Sequence, residues 1–332
     1  MTVATSHRLD GLEPDNLLAF LALLGLLRSL EADDRERPEE DRVLPRAAWD
    51  VASPPLRPRL HLASALTPEA IAERAEGGLR RLAGSHEFAG RQDITFSQEE
   101  CRALLKSAAE EARPDARDHV DLLAALMSDA AIKDGKGREV DPTPLCLLFG
   151  QGHQHFLDRL ASVPLGGLPP PRGRGKPAVP VSACGSLREA LFEPWRRADA
   201  TFSFRWDPAE DVRYALRPGD PTDAAYKPAT QHGANRLAAI ALALLTLAPQ
   251  TRAGRIRPCI IGGHAGADGF HFAWPIWREP ATLTAVVAML AAPDLIEAGA
   301  LSYLGVQRVM VAHRISTGKF MNMSRGRPIA GG

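Results

Sequence analysis

Lysine is scarce in this chain: 6 of the 40 basic residues are lysine, and the other 34 are arginine. With alanine abundant, that bias reads as the imprint of a GC-rich coding sequence, so the arginines alone do not announce a polyanion partner. Cysteine is sparse too. Cys101, Cys146, Cys184 and Cys259 lie far apart with no C-x-x-C spacing. This excludes a disulfide framework or zinc ribbon and fits isolated thiols in a reducing compartment. No leader-like segment opens the chain, and a cytoplasmic location is expected. The longest apolar run, Leu17 to Leu27, has 11 residues, about half of the ~20 needed to span a bilayer, so no membrane partner is expected. Catalytic signatures are missing as well. There is no Walker loop, no G-x-S-x-G, no H-E-x-x-H and no G-x-G-x-x-G after a strand. Most common nucleophile and cofactor classes leave one of these marks, so neither enzymatic activity nor a cofactor is expected.

What is present is a normal apolar fraction, 45% of 332 residues, enough for one large domain or two ordinary ones. The net charge is zero, but it is unevenly spread. Residues 1–163 hold 20 basic and 28 acidic side chains, and residues 164–332 hold 20 and 12, so the halves carry −8 and +8. Such asymmetry points to a polyanion-facing surface on the second half, or to an acidic lobe docked on a basic one.

The periodicities predict an α+β fold. Asp15 or Asn16 is placed to cap a helix from Leu17 to about Leu30, apolar on every side and therefore covered all round. Asp33 to Arg42 reads as an exposed charged loop. Short extended pieces follow near Trp49 and near Leu60–Leu62. Thr67-Pro68-Glu69 starts a helix, and Ser97-x-x-Glu100 is a capping box ahead of another. Further helices are expected over Val120–Ile132 and from the Gly-His segment to about Ala161, with a polar turn at Lys133–Asp141 between them. Ser186-x-x-Glu189 reads as a second capping box. Phe202, Phe204 and Trp206, then Val212, Tyr214 and Leu216, predict a hairpin with one aromatic face. Its other face would show Arg205, Arg213 and Arg217 together. His232-Gly233-Ala234-Asn235-Arg236 leads into a helix over Leu237–Leu247, with Asn235 as its cap. Phe270, Phe272 and Trp274 predict a strand, Thr282–Leu290 a helix, and Val309, Val311 and Ile315 a C-terminal strand.

These elements divide into an acidic, mostly helical lobe (1–163), a basic linker rich in proline and glycine (164–184), and a basic α+β lobe of antiparallel strands plus helices (185–332). The linker carries Arg172, Arg174 and Lys176 and is flanked by a stretch free of acids from Arg159 to Arg188. The tail from residue 301 holds Arg308, Arg314, Lys319, Arg325 and Arg327 and no acid. With Arg205, Arg213 and Arg217, and with Arg236 at a helix N-terminus able to offer N–H groups to an anion, these are the candidate nucleic-acid contacts. Arginine forks suit backbone phosphates and guanine edges alike.

Histidine offers weaker leads. His153, His155 and Asp158 resemble a metal site, but residues two apart on a helix point in nearly opposite directions, and no metal is expected there. His232, His264 and His271 sit beside glycines, where an imidazole can serve as a base or bind phosphate; structural hydrogen bonding is the plainer role.

Several blocks resemble a known family. They are Leu9-Asp10-Gly11-Leu12-Glu13-Pro14-Asp15-Asn16 with the following apolar helix to Arg28, Pro144-Leu145 through Gly150-Gln151-Gly152-His153-Gln154-His155-Phe156-Leu157, Arg205-Trp206-Asp207-Pro208-Ala209-Glu210-Asp211-Val212-Arg213-Tyr214-Ala215-Leu216, and His232-Gly233-Ala234-Asn235-Arg236-Leu237-Ala238; Trp274-Pro275-Ile276-Trp277 is a weaker one. In consistent order they resemble effector subunits of type I-G CRISPR systems, formerly I-U. The resemblance implies a non-catalytic, large-subunit-like member of a guide-RNA-loaded surveillance complex. Such subunits contact guide RNA and target DNA, help read the motif flanking the target, and recruit the helicase-nuclease, while guide pairing reads sequence. Two other readings stand beside it: a protein–protein adaptor in the same defence setting, and a metal-dependent hydrolase using His153, His155 and Asp158.

Overall fold

The computed structural model describes residues 4–88, 90–113, 117–133, 138–148, 155–167, 182–199, 203–210, 230–252, 254–266, 269–317 and 320–329. Helix α1 (Leu17–Asp34) organises them. Asn16 Oδ1 accepts the Ala19 N–H and starts the helix. Because its sequence is apolar on all sides, α1 needs cover on all sides, and every residue from Leu17 to Leu30 is buried. On one side lies α7 (His232–Ala241), on another α2 (Pro68–Ala83), and α6 (Ala183–Phe192) packs against both of those. Phe20 of α1 stacks on Trp274, with ring centroids 5.7 Å apart, which seats the helix on the main sheet.

The fold is α+β, with eight α-helices and ten strands among the described residues. A three-stranded sheet has the order β1-β3-β2, from β1 (Ala4–Arg8), β2 (Arg46–Trp49) and β3 (Pro58–Leu66). The main five-stranded sheet runs β10-β8-β7-β6, from β6 (Gly263–Gly266), β7 (Gly269–Trp277), β8 (Val306–Thr317) and β10 (Arg327–Pro328); β9 (Phe320–Met323) also pairs with β8. A small ribbon joins β4 (Gln250–Arg252) to β5 (Arg255–Arg257). All these pairings are antiparallel. The two larger sheets meet where Ala47 bridges Ala281 and Trp277 Nε1 donates to the Ala47 carbonyl at 2.7 Å. Helices α3 (Gln98–Glu111), α4 (Arg117–Leu126), α5 (Phe156–Ser162) and α8 (Leu283–Leu290) complete the set. Described residues of both 1–163 and 185–332 feed one hydrophobic core, from Leu9 to Met323.

Close helix contacts around α1 depend on two glycines. A Cβ at Gly25 of α1 would overlap the Leu237 carbonyl of α7, and one at Gly78 of α2 would overlap the Ser29 carbonyl of α1. Both obstacles are backbone, so relief requires moving a helix. Gly25→Ala is therefore expected to lose about 1–3 kcal/mol despite the better helix propensity of alanine. Denaturant unfolding reads this directly, and an unchanged midpoint would mean that α1 and α7 are not in close contact.

Thr67 and Ser97 cap α2 and α3 as expected, the latter with the full capping box. Five expectations need correcting. Asp33 and Asp34 are buried at the end of α1 rather than exposed, because Asp34 accepts the Val43 and Leu44 N–H groups at 2.9 and 2.8 Å and Asp33 pairs with Arg37. Helix α4 occupies 117–126, not 120–132. Ser182 caps α6, and Ser186 lies inside that helix with its hydroxyl on the Ala183 carbonyl. Helix α7 begins at His232, and its first N–H is received at 2.8 Å by Asp199 Oδ2; Asn235 is not the cap. The first arm of the predicted aromatic hairpin is, in its described part from Ser203 to Trp206, an irregular loop in which Arg205 takes φ +66°. Phe204 and Trp206 are nonetheless both buried and stacked at 4.5 Å. The second arm, including Arg213 and Arg217, lies outside the described residues.

Candidate nucleic-acid interface

Arg172, Arg174, Lys176, Arg213, Arg217 and Lys319 also lie outside the described residues, as does His153. The six remaining arginine candidates do not form one surface. Arg236 is 0% exposed. Its guanidinium donates to the Pro164 carbonyl at 2.9 Å, the Ala183 carbonyl at 2.8 Å and Glu76 Oε2 at 2.6 Å. Every face of that fork is already occupied, so it is a structural anchor and has no phosphate to meet. Arg314 lies on the inner face of β8, 5.7 Å over the Phe270 ring, and donates to the Pro144 carbonyl at 3.3 Å. Burial pushes its guanidinium below the usual value. Arg325 is held at 2.9 Å from Asp15 and 3.2 Å from Glu13. Arg205 is half-buried on its left-handed turn, where its N–H donates to Ser203 Oγ at 2.8 Å. Arg308 and Arg327 are exposed and make no ion pair among the described residues.

The metal alternative finds little geometry. His155 takes a left-handed conformation and faces Asp93, with Nδ1 at 3.3 Å, while Asp158 sits in the first turn of α5. Among the described residues, no group of three or more His, Cys, Asp or Glu has metal-ligating geometry.

The register of the main sheet assembles a different cluster. Directly opposed residues in antiparallel strands share a face. His264 of β6 is opposite His271 of β7, which is opposite His313 of β8. The His271 and His313 rings lie 4.1 Å apart, tilted by 45°. Ser324 continues the row, exchanging hydrogen bonds with the His313 backbone at 2.8 and 3.0 Å. Ile315, two residues along β8 and 49% exposed, shares this face, as does Arg327, opposite Val311. The opposite face carries Phe270, Phe272 and Trp274, buried toward α1. The outer face therefore offers the exposed His313 ring, with the half-buried His271 and His264 in line beside it, an exposed isoleucine and an unpaired guanidinium. Ring faces and arginine are the side chains on which nucleobases stack and phosphates rest. Burial and the nearby His271 push the His264 imidazole below its ordinary value.

Sequence reasoning singled out His264 and His271 but not His313. The signal was there: both histidines lie symmetrically about the Gly266–Gly269 span with its Asp268-Gly269 dipeptide, a hairpin mark that sets them opposite each other. Nothing in the sequence tells which residue of the next strand faces His271.

A buried polar network borders this half of the fold. Asp207, fully buried, pairs with Arg197 at 2.7 Å and accepts from Asn16 Nδ2 at 2.9 Å. Glu210 accepts the hydroxyls of Ser203 and Thr230, and Thr230 is also held by Asn235 Nδ2 at 2.8 Å. Burial raises the Glu210 carboxyl to about 7. Comparison with protein-family models, curated proteins and solved structures finds no match for this chain. No helix among the described residues is long and apolar enough to cross a membrane.

Proposed function

We propose that the chain is a non-catalytic subunit of a type I CRISPR surveillance complex, contacting guide RNA or target DNA through the outer face of its main sheet. It would help in target recognition and in recruiting the helicase-nuclease. The observation that carries this reading is the in-register row His264–His271–His313 beside Arg327, in a tail without a single acid from residue 301. The sequence blocks that resemble type I-G effector subunits supply the setting. On such a surface, arginine positions a phosphate, and binding then weakens as salt rises through counterion release.

The test is co-expression with the genomic neighbours, followed by binding assays on the purified assembly. The wild type is expected to co-purify with repeat-derived guide RNA. Arg327→Ala should lower the salt slope of binding by about 1, and the pair His271→Ala/His313→Ala should weaken binding by about tenfold or more through lost stacking. A chain that purifies alone, or binding indifferent to salt, would overturn the reading. Loss of only a protein partner in these variants would favour the adaptor instead.

A further inference from the structure

A second charged feature lies on the acidic half, where no nucleic-acid contact was expected. A cleft of about 480 Å³ opens between the C-terminus of α1 and the N-terminus of α8. Clefts of this size accommodate small ligands. Its two acids are already engaged. Both oxygens of Asp34 accept backbone N–H groups from Val43 and Leu44, and Arg74 approaches at 3.6 Å. Glu31 is half-buried, its carboxyl pushed above the usual range by burial and held by the Leu283 N–H. Its arginines are far less committed. Arg35 is 3.6 Å from Asp118 and half exposed. Arg42 spends only its Nε, on the Arg37 carbonyl at 3.1 Å. Neither Arg42 nor Arg46 has an acidic partner among the described residues. The cleft is thus cationic within an acidic region.

Between those two arginines stands Leu44, at φ +45°, a backbone state that a branched side chain rarely occupies. The Asp34 carboxylate pins its N–H, and the side chain is left 58% exposed at the cleft mouth beside Pro45. Backbone strain of this kind clusters at active sites and ligand clamps.

We propose that this cleft is a binding site for a phosphate-bearing ligand, with Arg42 and Arg46 on the phosphate and Leu44 against the adjoining apolar group, the pattern of a nucleotide or of one nucleotide of a single strand. The site stands apart from the sheet face and does not depend on membership of any complex. Titration of the full-length isolated chain with a fluorescent nucleoside triphosphate and with a short labelled single strand tests it by anisotropy. At least one probe should bind, and Arg42→Ala/Arg46→Ala should weaken that binding by about tenfold or more with an unchanged melting temperature. Binding of the triphosphate identifies a nucleotide site, and binding of only the oligonucleotide identifies a strand site. Leu44→Gly should melt higher, because glycine accepts the backbone, and yet bind about threefold more weakly through the lost apolar contact. Arg117→Ala, at an exposed position on α4, should bind as wild type. No binding of either probe, wild-type affinity in the double variant, or equal loss in Arg117→Ala would overturn the proposal, whatever becomes of variants at His271, His313 and Arg327.

Discussion

Arg236→Ala is expected to lose about 3–5 kcal/mol of stability, the range for breaking a buried ion pair by removing one partner. The side chain joins three parts of the chain. It pairs with Glu76 of α2, it accepts no solvent, and it satisfies the carbonyls of Pro164 and Ala183. Truncation strands these acceptors in the interior and leaves Glu76 with only Arg80, whose more exposed guanidinium lies 2.7 Å away on the other carboxylate oxygen. Glu76→Gln should cost at least as much, because it leaves the buried Arg236 with no acid and with Arg80 beside it, whereas Arg236→Ala leaves Glu76 paired with Arg80. Arg236→Lys should cost less than either, since it keeps a cation opposite Glu76 although one ammonium cannot reach all the acceptors arrayed around a planar fork. Chemical denaturation of the three variants checks the order. A loss below about 1 kcal/mol for Arg236→Ala, the level of a surface pair, would show that the site is wet.

Stability should also carry a loss as pH rises from about 4.5 to about 7, and Glu210 is the cause. Its carboxyl is pushed from 4.5 up to about 7 by burial, partly offset by the Ser203 and Thr230 hydroxyls. A folded state that holds the proton more tightly than the unfolded chain gains from it at low pH. That gain is complete below about 4.5 and fades as pH rises through about 7. Linkage sets the loss at about 3 kcal/mol once pH is well above 7. Glu210→Gln mimics the protonated form, keeps both hydroxyl partners, and should remove this loss between pH 4.5 and about 7. On the acid side, the buried His86 and His232 work in the opposite sense. Both are pushed down to about 4, so their contribution is present above 6.5 and is lost as pH falls toward 4. Urea midpoints across pH report both limbs. A pH profile unchanged between 4.5 and 7 in Glu210→Gln would overturn the assignment to this carboxyl.

Elements ruled by local chemistry were legible in the sequence: the apolar run of α1, the caps Asn16, Thr67 and Ser97, and the alternating aromatics of β7. Where long-range partners decide, the reading failed for identifiable reasons. The stretch His232–Arg236 looks like an anion-binding helix start, but Glu76 sits 160 positions earlier and claims the arginine. Phe204 and Trp206 alternate as a strand would, yet Glu210 accepts from both Ser203 and Thr230, and that side-chain network overrides the ladder. The arginine candidates suffered in the same way, since neither Asp15 beside Arg325 nor Phe270 beneath Arg314 is close in sequence. Of the candidate interface, only the pairing of His264 with His271 was foreshadowed by local spacing.

The burial of α1 bears on how the chain is made. This helix leaves the ribosome long before one of its covering surfaces, α7, with Arg28 reaching a carbonyl 212 positions later. At ordinary elongation rates of about 5–20 residues per second, that interval lasts roughly 10–40 s. Throughout it, an all-apolar segment has no native partner on that side, the kind of transiently exposed surface that makes a folding chain prone to aggregate.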